Sequence, residues 1–133
     1  MAPTAANRQP NKVYVVQTPE ALEKLSHAAR IFDCPLALIF CTDETSVWTR
    51  GDGATTVDID ASILTDETML LATELGLGSC WICAFKPEIL RAEFGIPDNV
   101  KPVNILALGY SAEEPSSDRL EKRKPLDELI VFA

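Results

Sequence analysis

A chain of 133 residues with 12 basic and 20 acidic side chains has a formal net charge of −8 at pH 7. This charge argues against nucleic acid and against an anionic membrane surface as partners, because both attract a basic protein surface. The length and the apolar share of 47% predict one globular domain over residues 1–133, with a core that needs no disulfides.

Strands and helices are predicted to alternate along the chain. A loop up to residue 12 precedes a strand over 12–17, a helix over 19–32 with Thr18 as its N-cap, and a buried strand over 36–41. A polar connection over 42–57 leads to a helix over 58–76, a strand over 79–85, a helix over 86–95 and a strand over 102–110. This order indicates an α/β or α+β fold with a central sheet.

Several segments carry more specific expectations. Apolar residues at 63, 64, 70, 71 and 75 of the long helix are predicted to face the core, and Gly76 to end the helix. Asp58 and Asp60 are interpreted as capping residues at the helix start. The 42–57 connection, with Trp48, is a candidate substrate-side lid. The apolar tail over 125–133 is expected to be buried.

No membrane span or secretion signal is evident. The longest apolar run, Cys34–Cys41, has eight residues, whereas a span needs about 18. The N-terminus is polar and lacks the apolar region of a signal peptide. We therefore expect a cytoplasmic protein with four reduced cysteines, of which Cys34 and Cys41 are small buried hydrophobes.

The stretch GLGSCWICAF, residues 76–85, contains a C-x-x-C and a G-x-G. A zinc site needs about four ligands, and the chain offers one histidine, His27, so no site is predicted. The side chains of Cys80 and Cys83 should diverge on a strand, which leaves a redox dithiol as a minor alternative. The G-x-G follows a helix and opens a strand, the reverse of a dinucleotide-binding loop.

Three stretches together resemble the nitroreductase family of FMN-binding flavoproteins. Residues 2–10 are similar to the family's N-terminal loop, 58–85 to its central helix, turn and strand, and 106–110 with 123–132 to its C-terminal signature. The resemblance covers nearly the whole chain and implies an α+β fold with a central, mainly antiparallel sheet flanked by helices. Family members usually begin with helices carrying an Arg-Arg-Ser stretch, so we expect an N-terminally truncated form.

The resemblance also implies which residues meet FMN. Backbone groups of Trp81, Ile82, Cys83 and Ala84 would run beside the flavin ring. The loop residues Pro3, Thr4, Ala5 and Asn7 would reach FMN bound mainly by the partner subunit, and Gln9 would hold the loop. Lys122 and Lys124 would meet the phosphate. His27 and Arg30 lie near positions that touch the ring in some members.

The implied function is an FMN-dependent oxidoreductase that forms a homodimer, in which the apolar tail over 125–133 would embrace the partner subunit. It would pass hydride from NAD(P)H through the flavin to a nitroaromatic, a quinone or a similar acceptor, without an essential side-chain acid or base and without a metal. Two alternatives stay open. One is a non-catalytic dimeric module, flavin-free or weakly flavin-binding, favoured by the absent N-terminal segment. The other is a thiol oxidoreductase that uses Cys80 and Cys83.

Overall fold

One antiparallel sheet of four strands forms the centre of the protein. The computed structural model describes residues 2–112 and 122–132. The strands are β1 (Asn11–Val16), β2 (Leu36–Asp43), β3 (Gly78–Ile82) and β4 (Val100–Gly109). They lie in the order β1-β2-β4-β3, and each neighbouring pair is antiparallel. The predicted α+β fold with an antiparallel sheet is confirmed.

Three helices cover the two faces of this sheet. They are α1 (Pro19–Ala28), α2 (Val57–Glu74) and α3 (Pro87–Phe94). α1 and α3 pack on one face through the fully buried Leu25 and Leu90. α2 packs on the other face, where Ala72 joins Phe40 and Leu106 in a second core. The sheet therefore lies between two hydrophobic cores.

Strand β2 contributes to both cores along its length. Its residues 37, 39 and 41 belong to the core under α1 and α3, and residues 36, 38 and 40 pack in the core under α2. This alternation is the period of a strand. The prediction that the continuous apolar run forms a strand covered on both faces is confirmed.

Helix α1 ends earlier than its apolar period predicts. Thr18 caps it as expected, but the helix ends at Ala28 rather than at residue 32. Ala29 is already extended and pairs with Phe85, which follows β3 in the chain. This tertiary contact overrides the helical pattern, and Phe32 is 54% exposed instead of joining the core.

Helix α2 presents a different face to the sheet from the predicted one. Leu64 packs in the core, but Leu70, Leu71 and Leu75 are 60%, 54% and 67% exposed, so the prediction is wrong for these three. The helix buries small residues such as Ala61 instead, and small residues allow close approach to the sheet. The side chains of Leu70, Leu71 and the C-cap residue Leu75 are therefore left on the outer surface.

Glycines end α2 and α3 as the sequence predicts. Gly76 follows α2 with φ +77°, and Gly95 follows α3 with φ +60°. These left-handed angles disfavour any side chain with a Cβ, which is why glycine commonly ends helices.

The C-terminal segment is exposed rather than buried. It contains a 3-10 turn over Leu126–Glu128, and beyond it Val131 and Phe132 are 89% and 94% exposed. A single chain thus exposes this tail, as expected for a segment that would embrace a partner subunit, and its burial by a partner stays a prediction. Part of the charged stretch before it, residues 113–121, lies outside the described residues.

Candidate functional site

The N-terminal loop over residues 2–10 is held together by its own hydrogen bonds. A 3-10 turn spans Ala5–Asn7, and Thr4 Oγ1 accepts from the Gln9 N–H at 3.0 Å. The Gln9 side-chain amide donates to Asn7 Oδ1 at 3.2 Å. Pro3 precedes Thr4, the N-cap residue of this turn, and is exposed.

The backbone of this loop adopts a strained conformation. Ala6, Asn7 and Gln9 have φ of 48°, 53° and 51°. L-residues pay roughly 1–2 kcal/mol each for the left-handed region. A loop with three such residues needs contacts that hold it in place.

Asp60 of α2 supplies a contact of this kind from outside the loop. The side chain is buried, with 1% exposure, and its Oδ1 accepts from the Ala5 N–H at 2.9 Å. Its Oδ2 accepts from the Thr56 hydroxyl at 2.8 Å, and its backbone carbonyl accepts from the Asn11 side chain at 3.1 Å. No sequence signal links positions 5 and 60.

The interpretation of the two early aspartates as caps is wrong. Both lie in the first turn of α2, but the N-cap is Thr56, without a side-chain cap hydrogen bond. Asp60 holds the loop, and Asp58 Oδ1 accepts from Lys101 Nζ of β4 at 2.8 Å. Both carboxylates thus bind neighbouring elements instead of the free amides of their own helix.

The predicted flavin-side strand is shorter than expected. β3 pairs with β4 only as far as Ile82 opposite Ile105, so β3 ends at residue 82 rather than 85. Trp81 packs in the core under α2, and Ile82 in the core under α1 and α3. Cys83 and Ala84 lie beyond the last strand pair and are exposed. Their backbone groups are therefore outside the β3–β4 ladder.

A cleft of about 480 Å³ lies beside this strand end. Residues 26–30, at the end of α1, form one wall, and residues 84–86 form the other. The Ala29–Phe85 bridge and the hydrogen bond from Lys86 N–H to Ala28 O, at 2.9 Å, fix the two walls together. The same bridge that ends α1 early thus builds the cleft.

The lining of this cleft is basic, although the chain is acidic overall. His27, Arg30 and Lys86 line it, and no acidic residue does. Arg30 lies over the Phe32 ring, with 4.8 Å from the guanidinium carbon to the ring centroid. His27 Nδ1 lies 3.0 Å from Glu93 Oε1 of α3. Arg30 and Lys86 form no ion pair with another described residue.

A second cleft, of about 430 Å³, opens on the α2 side of the same strand end. Trp81, Cys83 and Phe85 line it together with Asn104. Asn104 is 1% exposed, and its Oδ1 accepts from the Thr65 hydroxyl at 2.9 Å. The strand end over residues 81–85 therefore separates two clefts.

The structure brings together only part of the predicted site. The strand end at Ala84 and the loosely aligned His27 and Arg30 share the first cleft. The loop over residues 2–10 lies instead at the start of α2 and lines neither cleft. Lys122 and Lys124 are exposed, and Lys124 Nζ lies 3.8 Å from Glu128 Oε2. Among the described contacts neither lysine meets the cleft.

The four cysteines are free thiols. Cys80 of β3 lies opposite Ala107 of β4, which belongs to the core under α1 and α3, so Cys80 is on that face of the sheet. Cys83 instead lines the cleft on the α2 side. The predicted divergence of this pair is confirmed. Cys41 is fully buried, and burial raises the pKa of its thiol to about 12.

The connection between β2 and α2, residues 44–56, is partly ordered by its own contacts. Thr49 and Thr55 form a β-bridge, and Trp48 O accepts from the Thr56 N–H at 3.2 Å. This connection lines neither cleft, so its role as a substrate-side lid stays a prediction.

Residues 2–112 and 122–132 contain neither a candidate membrane-spanning helix nor a candidate metal cluster. No helix in these ranges is long and apolar enough to cross a membrane. No group of three or more His, Cys, Asp or Glu side chains in the same part of the chain could hold a metal ion.

Comparison with known proteins gives consistent matches. The sequence model of the nitroreductase family matches residues 23–110, more than half of the chain. A protein of Methanothermobacter thermautotrophicus, named for NADH dehydrogenase or NAD(P)H nitroreductase activity, is 32% identical over 86% of this chain. The chain spans 62% of the length of that relative.

Two solved structures share the fold. A nitroreductase family protein from Clostridium difficile 630 is 52% identical with a TM-score of 0.94, over 98% of this chain and 78% of that one. An FMN-dependent nitroreductase from Clostridium difficile R20291 is 26% identical with a TM-score of 0.71, over 93% and 79% of the two chains.

Proposed function

The chain belongs to the nitroreductase family, and on this premise we propose that it is an FMN-dependent oxidoreductase. It passes hydride from NAD(P)H to a small acceptor such as a nitroaromatic or a quinone. The observation that carries the proposal is the basic cleft at the end of β3, where Ala84, outside the ladder, lies on the wall opposite Arg30 and His27.

The cleft suits the polar edge of a flavin. The ring edge of FMN carries carbonyl oxygens and ring nitrogens, which need hydrogen-bond donors. The backbone amide of Ala84, which lines this cleft outside the β3–β4 ladder, and the guanidinium of Arg30 are donors of the required kind, and Cys83 continues the strand end on the side of the second cleft. The basic lining also favours a cofactor that carries a negatively charged phosphate. Lys122 and Lys124 are solvent-accessible cations that could bind the phosphate itself.

FMN, when bound, supplies the hydride chemistry, as cofactors generally do for reactions that side chains cannot perform. The residues of the protein would bind FMN and orient it. With FMN bound, the backbone amide of Ala84, together with Cys83 on the adjoining side of the strand end, would hold the ring edge, and the Arg30 guanidinium would favour negative charge at that edge. The name of the Methanothermobacter relative supports a nicotinamide nucleotide as the reductant.

We propose that the active form is a homodimer in which each subunit completes the other's site. Within one chain, the predicted cofactor residues of the loop over residues 2–10 are separated from those at the end of β3. The loop lines neither cleft. A second copy would bring its loop to the cleft. The tail around Val131 and Phe132, exposed in one chain, would be covered by the partner.

A large apolar surface supports this dimer. Three exposed residues of α2, its C-cap residue and two residues of β1 lie on the same side of the sheet, and we call this set the α2 apolar surface: Ile59, Leu70, Leu71, Leu75, Val13 and Val15. The β1 pair faces this side because its register partners, Phe40 and Leu38, pack in the core under α2. Exposed apolar patches of this kind commonly mark protein interfaces.

FMN titration of matched arginine variants tests the cleft. Arg30→Ala removes a cleft cation, whereas Arg50→Ala removes an exposed arginine that pairs with Asp52 in the 44–56 connection. We expect Arg30→Ala to weaken FMN binding, followed by flavin fluorescence, about tenfold or more, because hydrogen bonds to charged groups contribute about 1.5–3 kcal/mol. Arg50→Ala should bind like the wild type.

Three outcomes would contradict this proposal, and the last two would each favour one of the alternative functions. Equal FMN affinity in all three proteins would refute the assignment of the cleft. A folded wild type that does not bind FMN would favour the non-catalytic dimeric module. Loss of reductase activity in Cys83→Ser with FMN still bound would favour the thiol mechanism.

A further inference from the structure

We infer that Asp60 is a positioning residue that holds the cofactor-contacting loop and couples it to the 44–56 connection. Its carboxylate joins two segments that are far apart in sequence, through Ala5 on one side and Thr56 on the other. The part of this inference that concerns the cofactor rests on the proposed function. The coupling of the two segments does not.

The hydrogen bond from the Ala5 N–H of the loop to the Asp60 carboxylate is a strong one. A carboxylate that accepts from a backbone N–H forms a charge-assisted hydrogen bond, roughly twice as strong as a neutral one. The 2.9 Å distance between Ala5 N and Asp60 Oδ1 and the 1% exposure of Asp60 mean that water does not compete for this oxygen. The bond acts on the residue directly before Ala6, where the left-handed backbone begins.

The bond on the other side reaches the base of the 44–56 connection. The Thr56 hydroxyl lies 2.8 Å from Asp60 Oδ2 and 3.4 Å from the Trp48 carbonyl. A hydroxyl has a single proton, and the shorter contact to a charged acceptor is preferred. The Trp48 carbonyl is held by the Thr56 N–H at 3.2 Å. A continuous path of hydrogen bonds thus runs from Ala5 through Asp60 and Thr56 to Trp48.

Within residues 2–112 and 122–132, these two donors are the ones that hydrogen-bond to the buried carboxylate. No lysine, arginine or histidine within the described residues forms an ion pair with Asp60. Loss of the carboxylate therefore leaves the Ala5 amide without its acceptor, and at the same time leaves the Thr56 hydroxyl with only its longer contact, at 3.4 Å, to the Trp48 carbonyl. The loop and the connection should loosen together.

Amide hydrogen exchange measured by NMR on the full chain tests the coupling. Asp60→Ala should speed exchange at Ala5 and at Thr56 by about tenfold, because each residue loses a local restraint of about 1.4 kcal/mol. Asp58→Ala is the matched control. It removes the same charge from the same helix turn, but its partner is Lys101, so neither amide should change.

A conservative variant separates positioning from general destabilisation. Asp60→Asn keeps an oxygen for Ala5 and should restore most of its protection. The buried Ile39 amide of β2 reports global opening. Faster exchange at Ile39 and Ala5 alike in Asp60→Ala would mean general destabilisation and would overturn the inference. Faster exchange at Ala5 with Thr56 unchanged would refute the coupling.

FMN affinity tests the role of Asp60 toward the cofactor. We expect Asp60→Ala to weaken FMN binding about tenfold, Asp60→Asn about threefold or less, and Asp58→Ala not at all. A loosened loop with unchanged FMN affinity would overturn the positioning role. If the wild type binds no FMN, the proposed function fails, but the exchange data still decide whether Asp60 couples the two segments.

Discussion

A charged substitution on the α2 apolar surface should separate the proposed dimer. Leu71 is 54% exposed in a single chain, and α2 tolerates arginine at an exposed position because arginine is a good helix former. Complete burial of a leucine side chain contributes about 1.5–3 kcal/mol, so burial of the exposed half contributes about 1–1.5 kcal/mol. In a two-fold dimer each substitution counts twice.

Leu71→Arg should therefore cost the dimer at least about 2–3 kcal/mol, before any cost of burying the guanidinium. This loss corresponds to a dissociation constant raised about 30- to 150-fold. Sedimentation equilibrium over a concentration series measures it, and circular dichroism checks that the variant remains folded. Ala92→Arg on α3, on the opposite face of the sheet, introduces the same charge at an exposed position as a control.

Two results would refute this reasoning. A wild type that sediments as a monomer at all concentrations would remove the dimer on which the completed site depends. An unchanged dissociation constant in Leu71→Arg, or an equal weakening in Ala92→Arg, would mean that the dimer uses another surface.

Two further predictions concern acid stability and thiol reactivity. Hydrogen bonds from Thr45 and Asn99 lower the pKa of Asp43 to about 2 from 3.8, so its stabilising effect is present above about pH 4 and is lost as the pH falls towards 2. Asp43→Asn should thus lose less thermal stability than the wild type between pH 4 and pH 2, and parallel melting curves would contradict this. In mass-spectrometric mapping of alkylation of the folded protein, the exposed Cys83 should be modified and the buried Cys41 should not. Equal modification of both thiols under native conditions would contradict the buried position of Cys41.

The features that depend on local chemistry could be predicted from the sequence. Thr18 begins α1 as its N-cap, and Gly76 follows the end of α2. Both could be predicted because a side-chain cap and a left-handed φ are local requirements. The run over Leu36–Asp43 forms a strand covered on both faces because its composition reflects burial on both sides.

The features that depend on distant contacts could not be predicted. Ala29 leaves its helix to pair with Phe85, and no nearby residue signals that contact. Leu71 and Leu75 fit a buried helical stripe, but their apolar surface is turned outward in the single chain. An apolar period alone does not distinguish a core from a surface that a second chain would cover.

The candidate site shows the same division. The resemblance to the family predicts Cys83 and Ala84 as cofactor-binding residues, and the position of Ala84 across the cleft from Arg30 follows from the early end of α1. The part played by Asp60 was missed, because an acidic residue in a first helical turn has a sufficient local explanation. Only the fold shows that its carboxylate turns away to the loop.

The most direct test of the central claim is the visible absorption spectrum of the purified protein, before and after FMN is added and the excess removed. We predict that flavin bands are retained and that NADH or NADPH bleaches them, with recovery when a quinone or nitroaromatic acceptor is supplied. A folded, colourless protein that retains no FMN would contradict the account.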